Sequence, residues 1–160
     1  MYQSTILLIV TTLTLPIFNA AIANEPAPWG RASINQTTYR NQKVVYDLDA
    51  NSKERLANIL ARTGYLSKLN GDDPFDNKII VVIHGDSIPF FSIKHTKKYR
   101  DLMELAYSQT LNGTIEFRMC EASAHLRGYE SSDIHGFVSM VPMADAEIIR
   151  LQNAGYSYMR

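Results

Sequence analysis

From Lys43 onward the apolar residues alternate between two spacings, and each change of spacing predicts an element. Lys43–Leu48 (KVVYDL) is a β-branched and aromatic run and predicts a strand. Asn51 stands where a helix N-cap belongs, with Glu54 three residues on in capping-box register. Leu56, Ile59 and Leu60 then recur at helical spacing. The helix continues through Gly64 to Leu66 and Leu69, although a glycine inside a helix costs about 1 kcal/mol relative to alanine. Asn70-Gly71-Asp72-Asp73-Pro74 is a turn signal. Lys78–Ile83 (KIIVVI) is an unbroken Ile/Val run after one lysine, the pattern of a strand covered on both faces. His84-Gly85-Asp86 ends it, and Ile88-Pro89-Phe90-Phe91 predicts an apolar loop. Lys97–Leu111 predicts a second helix with Leu102, Leu105 and Ala106 on one face and Gly113 just past its end. Thr114–Met119 predicts a third strand that ends at Cys120, and Ala122–Arg127 a short helix closed by Gly128. Phe137–Val141 predicts a fourth strand, closed by Pro142. Ala144, Ile148 and Leu151 make a last helical stripe before Gly155, and Tyr156–Met159 a short final strand.

Strands alternating with helices at this spacing imply βαβ units, hence a parallel sheet with helices on its faces. Crossover handedness then gathers the strand–helix loops along one edge, where the ligand sites of open α/β sheets lie. The 160 residues suffice for one domain with a real core. Ahead of it, Ile6–Val10 is apolar, Thr11–Phe18 more weakly so, and Ala20-Ala21-Ile22-Ala23 offers small residues for a signal peptidase. Residues 1–23 are therefore expected to be a cleaved secretory signal, which implies a periplasmic or secreted protein. The short n-region lacks lysine and arginine, so an uncleaved interfacial anchor is the alternative. Residues 24–42, punctuated by Pro26, Pro28 and Gly30, are expected to be a polar linker, and residues 43–160 the domain.

Acidic and basic residues number 16 each, which argues against a nucleic-acid binder held by phosphate contacts. A single cysteine makes no internal disulfide. Cys120 stands where a strand hands over to a helix, and the N–H groups at a helix start favour a thiolate. Glu121 opposes that effect, and a buried, inert cysteine is the alternative. In a parallel sheet Asp47, His84 and Cys120 end strands on one edge. With the first three strands side by side in chain order, His84 stands beside Cys120 and Asp47 one strand further away. His84 would then accept the thiol proton or steady the thiolate. Alternatively His84 merely closes its strand on a loop carbonyl, and Asp47 the turn before Asn51. His125, five residues after Cys120, makes a Cys/His metal site conceivable, with a soft cuprous ion the best fit.

The segments VVYDL, IIVVIHG, IEFRMC, LRGY, VSMVP and IIRLQNAGYSYMR, in that order from Lys43 to Arg160, resemble the DsrE/DsrF-like family of sulfur-relay proteins, and small exported bacterial members in particular. The resemblance implies a three-layer α/β/α fold with a mostly parallel five-stranded sheet, and a homo-oligomer. It also implies that a cysteine after a strand passes sulfane sulfur as a persulfide, a role only Cys120 can match. The chain departs from the exported pattern in two places. His135 precedes Gly136 where a Leu-Pro pair is usual, and Met143-Ala144 replaces Ser-Gly. No second cysteine is present to resolve a persulfide, so a relay needs a partner thiol.

The leading expectation is an exported sulfur-handling protein with Cys120 as sulfur carrier and His84 as its base, needing no organic cofactor. Its partners would be sulfur donor and acceptor proteins or small sulfur species. The rival of a different class is a non-catalytic binding or assembly subunit, with the Ile88–Phe91 loop and Trp29 as contact surface and Cys120 packed. Metal binding through Cys120 and His125 is the third reading.

Overall fold

A computed structural model describes residues 27–39 and 42–160. The expected signal segment, residues 1–23, lies outside the described residues. The chain divides into two units, Met1–Gln36 and Thr37–Arg160. The described part of the first, residues 27–36, carries one turn, in which the Gly30 N–H donates to the Ala27 carbonyl at 2.9 Å. Trp29 there is exposed.

The second unit is built in the order β1 (Lys43–Leu48), α1 (Lys53–Leu69), β2 (Lys78–Ile83), α2 (Thr96–Thr110), β3 (Ile115–Cys120), α3 (Glu121–Leu126), β4 (Val138–Val141), α4 (Ala144–Asn153) and β5 (Ser157–Met159). The five strands form one sheet in the order β4-β3-β2-β1-β5, with every neighbouring pair parallel. Helices cover both faces, as a three-layer α/β/α fold requires.

Handedness explains which helix lies where. The chain steps from β1 to β2 to β3 to β4 in one direction, so right-handed crossovers put α1, α2 and α3 on one face. The step from β4 back across the sheet to β5 runs the other way, and α4 lands on the opposite face. The core divides accordingly. Val44, Tyr46, Leu48, Ile79, Val81, Ile83, Phe117 and Met119 pack with Leu56, Leu60, Met103, Ala106 and Ala124 in the larger cluster. Val45, Ile80, Val82 and Cys120 pack with Ala144, Ile148 and Leu151 of α4 in the smaller. The central strand β2 feeds both, which is why its Ile/Val run does not alternate.

Four local expectations need correction. Ser52, not Asn51, caps α1, its side chain accepting from the Arg55 N–H at 3.2 Å. Residues 88–91 are not a surface loop. They belong to a 3-10 turn, Gly85–Phe91, in which Ile88, Phe90 and Phe91 are buried and Phe91 packs on Phe117 and Phe137. That segment is core, because the turn after β2 folds back over the larger cluster. Leu105 is exposed, since the inward stripe of α2 is centred on Met103 and Ala106 and the helix is kinked at Tyr99. Gly64 has a positive role. A methyl there would sit 2.7 Å from Gln109 Nε2, whose N–H donates to the Leu60 carbonyl at 2.7 Å. The glycine lets α2 hydrogen-bond directly to the α1 backbone.

Candidate functional site

Side chains alternate across a strand, so position parity decides what shares a face. On β1 the odd positions face α4, and on β2 and β3 the even ones do, as Val45, Ile80, Val82 and Cys120 demonstrate. Asp47 and His84 have the same parity. Ile83 pairs with Met119, so His84 and Cys120 follow as neighbours one position beyond the paired ladder. His84 keeps an extended backbone (φ −151°, ψ −173°), which carries the alternation to the strand end. Asp47, His84 and Cys120 thus come to one face at the carboxyl edge of three adjacent strands.

Cys120 lies where the connections diverge. The chain leaving β3 turns toward one face and the chain leaving β4 toward the other, which makes this the topological switch point of the sheet. The Ala122 N–H bridges the two strand ends, donating to the Pro142 carbonyl at 3.3 Å. Cys120 is 4% exposed and sits against α4. Its sulfur N-caps α3 by accepting from the Ser123 N–H at 3.3 Å.

His84 is held from the other side. Its Nε2 lies 2.5 Å from Asp47 Oδ1, and the Tyr158 hydroxyl donates to Asp47 Oδ2 at 2.5 Å. The Asp47 side chain is 13% exposed and that of His84 27%. Burial pushes the Asp47 carboxyl up, but the hydrogen bonds from Tyr158 and His84, with the charge of His84, outweigh it and leave the pKa below the ordinary carboxylate value. The same bond to Asp47, with burial adding to it, raises the Tyr158 phenol. An ionised carboxylate only accepts, so His84 Nε2 must be the donor. In the neutral ring this leaves Nδ1 as the lone-pair nitrogen.

The loop after β2 is fastened to its neighbours. The Gly85 N–H donates to Ser123 Oγ at 3.1 Å, and the Asp86 N–H to Asp49 Oδ1 at 2.8 Å. Arg127 reaches Ser123 Oγ at 3.3 Å and Asp86 Oδ1 at 3.2 Å. Ser123 therefore joins the histidine loop to the helix that Cys120 caps. Asp49, rather than Asp47, makes the side-chain bond to this loop.

The other histidines stand apart from this arrangement. His125 Nε2 faces Glu130 at 3.1 Å and Glu121 at 3.9 Å, so both carboxylates engage it on the surface. Among the described residues no three His, Cys, Asp or Glu side chains gather as a metal site. His95 Nε2 lies 3.4 Å from the Tyr129 hydroxyl. His135 stacks on Phe137, and burial lowers its pKa. Tyr158 and Ser123 were not among the residues the sequence suggested. Tyr158 sits opposite Val45 in the parallel ladder and so shares the face of Asp47, but that is visible only once β5 is placed beside β1.

A family model described as DsrE/DsrF-like matches residues 42–160, nearly all of the unit that carries this sheet. The chain belongs to the DsrE/DsrF-like family. That family is associated with sulfur relay, and partners in sulfur relay follow in general terms. Among solved structures, the DsrE/DsrF-like unit is similar to protein of unknown function MTH1491 from Methanobacterium thermoautotrophicum. The TM-score is 0.62 at 18% identity, over 74% of this chain and 98% of that one. At that identity the likeness shows the fold alone. No curated protein matches the sequence.

Proposed function

We propose that the protein carries sulfane sulfur on Cys120 as a persulfide, with His84 as the base that serves it. The observation that carries the reading is the juxtaposition of Cys120, at the switch point between β3 and β4, with a histidine whose Nε2–H is committed to Asp47. His84 Nδ1 takes the thiol proton. The thiolate attacks the terminal sulfur of a donor persulfide, forming the Cys120 S–S bond while the donor's own S–S bond breaks. The donor leaves as a thiolate and recovers the proton from His84. An acceptor thiolate later attacks the outer sulfur of Cys120 and takes it by the same exchange. No net oxidation occurs. The burial of Cys120 favours donors that present a slender terminal sulfur.

The reading extends to place and assembly. Residues 1–23 export the protein to the periplasm or beyond, and it works as a homo-oligomer. N-terminal sequencing of the exported chain checks the first point, and a chain still starting at Met1 refutes it.

Mass spectrometry after incubation with a small persulfide donor should show one added sulfur atom on the wild type and none on Cys120→Ser. His84→Ala should slow uptake at neutral pH by about a hundredfold and recover as the pH rises. If the wild type stays unmodified while a control thiol reacts, Cys120 is a packed residue and the carrier reading fails.

A further inference from the structure

Although the chain balances its charges overall, α1 holds two oppositely charged features apart. At its start, a pocket of about 320 Å³ opens between the first turns of α1 and α2. Lys53, Lys97, Lys98 and Arg100 line it with Tyr99, against two carboxylates, Glu54 and Asp101. The ammonium groups of Lys53 and Lys98 lie 5.3 Å and 5.1 Å from the Tyr99 ring centroid. Lys97 and Lys98 make no ion pair with a carboxylate among the described residues, and Arg100 reaches only Glu104, at 3.4 Å. Cations in the first turn of a helix oppose its dipole, so helix stability does not explain three of them at the start of α2.

At the other end of α1, the turn into β2 carries Asp72, Asp73 and Asp76, all exposed, around Phe75. Phe75 is 96% exposed. The turn nevertheless has a fixed shape. Asp73 Oδ1 accepts from the Phe75 N–H at 2.9 Å, and the buried Asn77 amide donates to the Asn70 carbonyl at 3.0 Å. A phenyl ring held out into water between carboxylates adds nothing to the fold that displays it. The 17 residues of α1 span roughly 25 Å, so this turn cannot reach the pocket of its own chain.

We propose that Phe75 and its flanking aspartates dock into the Lys53–Tyr99 pocket of a second copy of the chain, head to tail. The phenyl ring joins Tyr99, and the carboxylates meet Lys97 and Lys98. A second copy is the occupant because the chain itself carries the complement of the pocket in charge, with an exposed ring to meet Tyr99. The contact is heterologous, so each copy offers one turn and one pocket, and association runs on to a ring or a filament. One turn in one pocket covers far less than the roughly 1,600 Å² of a standard interface, so the contact is reversible and weakens with salt.

Sedimentation velocity of the full chain over about 5–500 μM tests this. The wild type should associate with rising concentration, and high salt should reverse it. Phe75→Ala, at a side chain with nothing to lose in the fold, should weaken association at least tenfold. The decisive arm mixes two variants, Phe75→Ala/Asp76→Lys and Lys97→Glu/Lys98→Glu, each shown folded by circular dichroism. Each alone should be monomeric. Together they should form a 1:1 dimer that grows no further, because only one intact turn and one intact pocket remain. A wild type that stays monomeric, variants that associate like wild type, or a mixture that stays monomeric would each overturn the proposal.

Discussion

Replacing Gly85 by alanine should cost about 2–3 kcal/mol and disturb the histidine as well. Gly85 has φ +56°, a left-handed backbone that an L side chain adopts at a cost of about 1 kcal/mol or more. The space is occupied too. A methyl at Gly85 would fall 2.6 Å from Asp49 Cγ and 3.0 Å from Oδ2, and closer still to Oδ1. Asp49 must then swing aside and give up the Asp86 N–H, an exposed bond to a charged acceptor worth about 1 kcal/mol. In a domain of this size roughly 4 °C of Tm accompanies each kcal/mol, so thermal unfolding should shift down by about 8–12 °C. Gly128→Ala is the internal control. Gly128 has φ +73° but nothing within 4 Å of the added methyl, so it should lose only the conformational part. Asp49→Ala should cost about 1 kcal/mol in the wild type and nothing further in the Gly85→Ala background. Equal shifts for Gly85→Ala and Gly128→Ala, or strict additivity with Asp49→Ala, would refute the close contact as the cause. Sulfur uptake by Gly85→Ala should fall as well, since the residue follows His84 and its N–H anchors the loop on Ser123.

Asp47→Asn should slow sulfur uptake by roughly tenfold or more, because His84 loses the carboxylate that fixes its tautomer, and Tyr158→Phe should slow it less, because only the hydroxyl that holds Asp47 is lost. Thiol alkylation by a small reagent, compared at neutral and alkaline pH, separates a lost base from a lost fold. The Asp47 carboxyl has its pKa lowered on folding, so its stabilisation is complete above the ordinary carboxylate value and is lost as pH falls through the folded one. Acid unfolding of Asp47→Asn should lack that component. His135 is also lowered, by burial, and its Nε2 has no partner among the described residues. Its contribution is complete above about pH 6.5 and declines as the pH falls toward the folded value. His135→Phe should flatten that decline and raise stability at pH 6 by about 1 kcal/mol, read by thermal unfolding.

Much of this architecture was legible because it is local. The Ile/Val run of β2 could only be a strand buried on both faces, and Cys120 falls at a strand–helix junction in the residues themselves. Strand ends that share one edge, with the first three strands in chain order, were enough to expect His84 near Cys120, while the face each side chain takes depends on the register. The non-local features were not legible. Nothing near Tyr158 says that β5 returns beside β1, yet that return supplies the hydroxyl that holds Asp47, 111 residues away in the chain. The switch point between β3 and β4 also depends on strand order, which hydrophobic spacing does not encode. Ile88–Phe91 misled because apolar residues after a Gly-Asp break look like a loop, and only the folded turn buries them. Asn51 and Ser52 are equally good caps by composition, and the extended backbone at Ser52 (φ −143°, ψ 157°) decides between them.

The site and the core rest on one alternation, and this constrains how the site can vary. The residues that flank Asp47, His84 and Cys120 in their strands, such as Tyr46, Leu48, Ile83 and Met119, point into the larger cluster. A one-residue slip of any of these strands would bury a charged or reactive group there and turn the core residues toward α4. The face they do occupy is covered by a single helix of 10 residues, whereas the opposite face carries three helices and the Gly85–Phe91 turn. Polar groups at the sheet edge keep some access to water on the thinly covered side, and the buried bonds that hold the edge together, from Ser87 to the Ala50 backbone for example, lie on the other. The division of labour follows from chain direction. Three forward crossovers build the heavy face, and one return crossover supplies the single helix of the light face, on which Cys120 is packed and His84 keeps partial exposure.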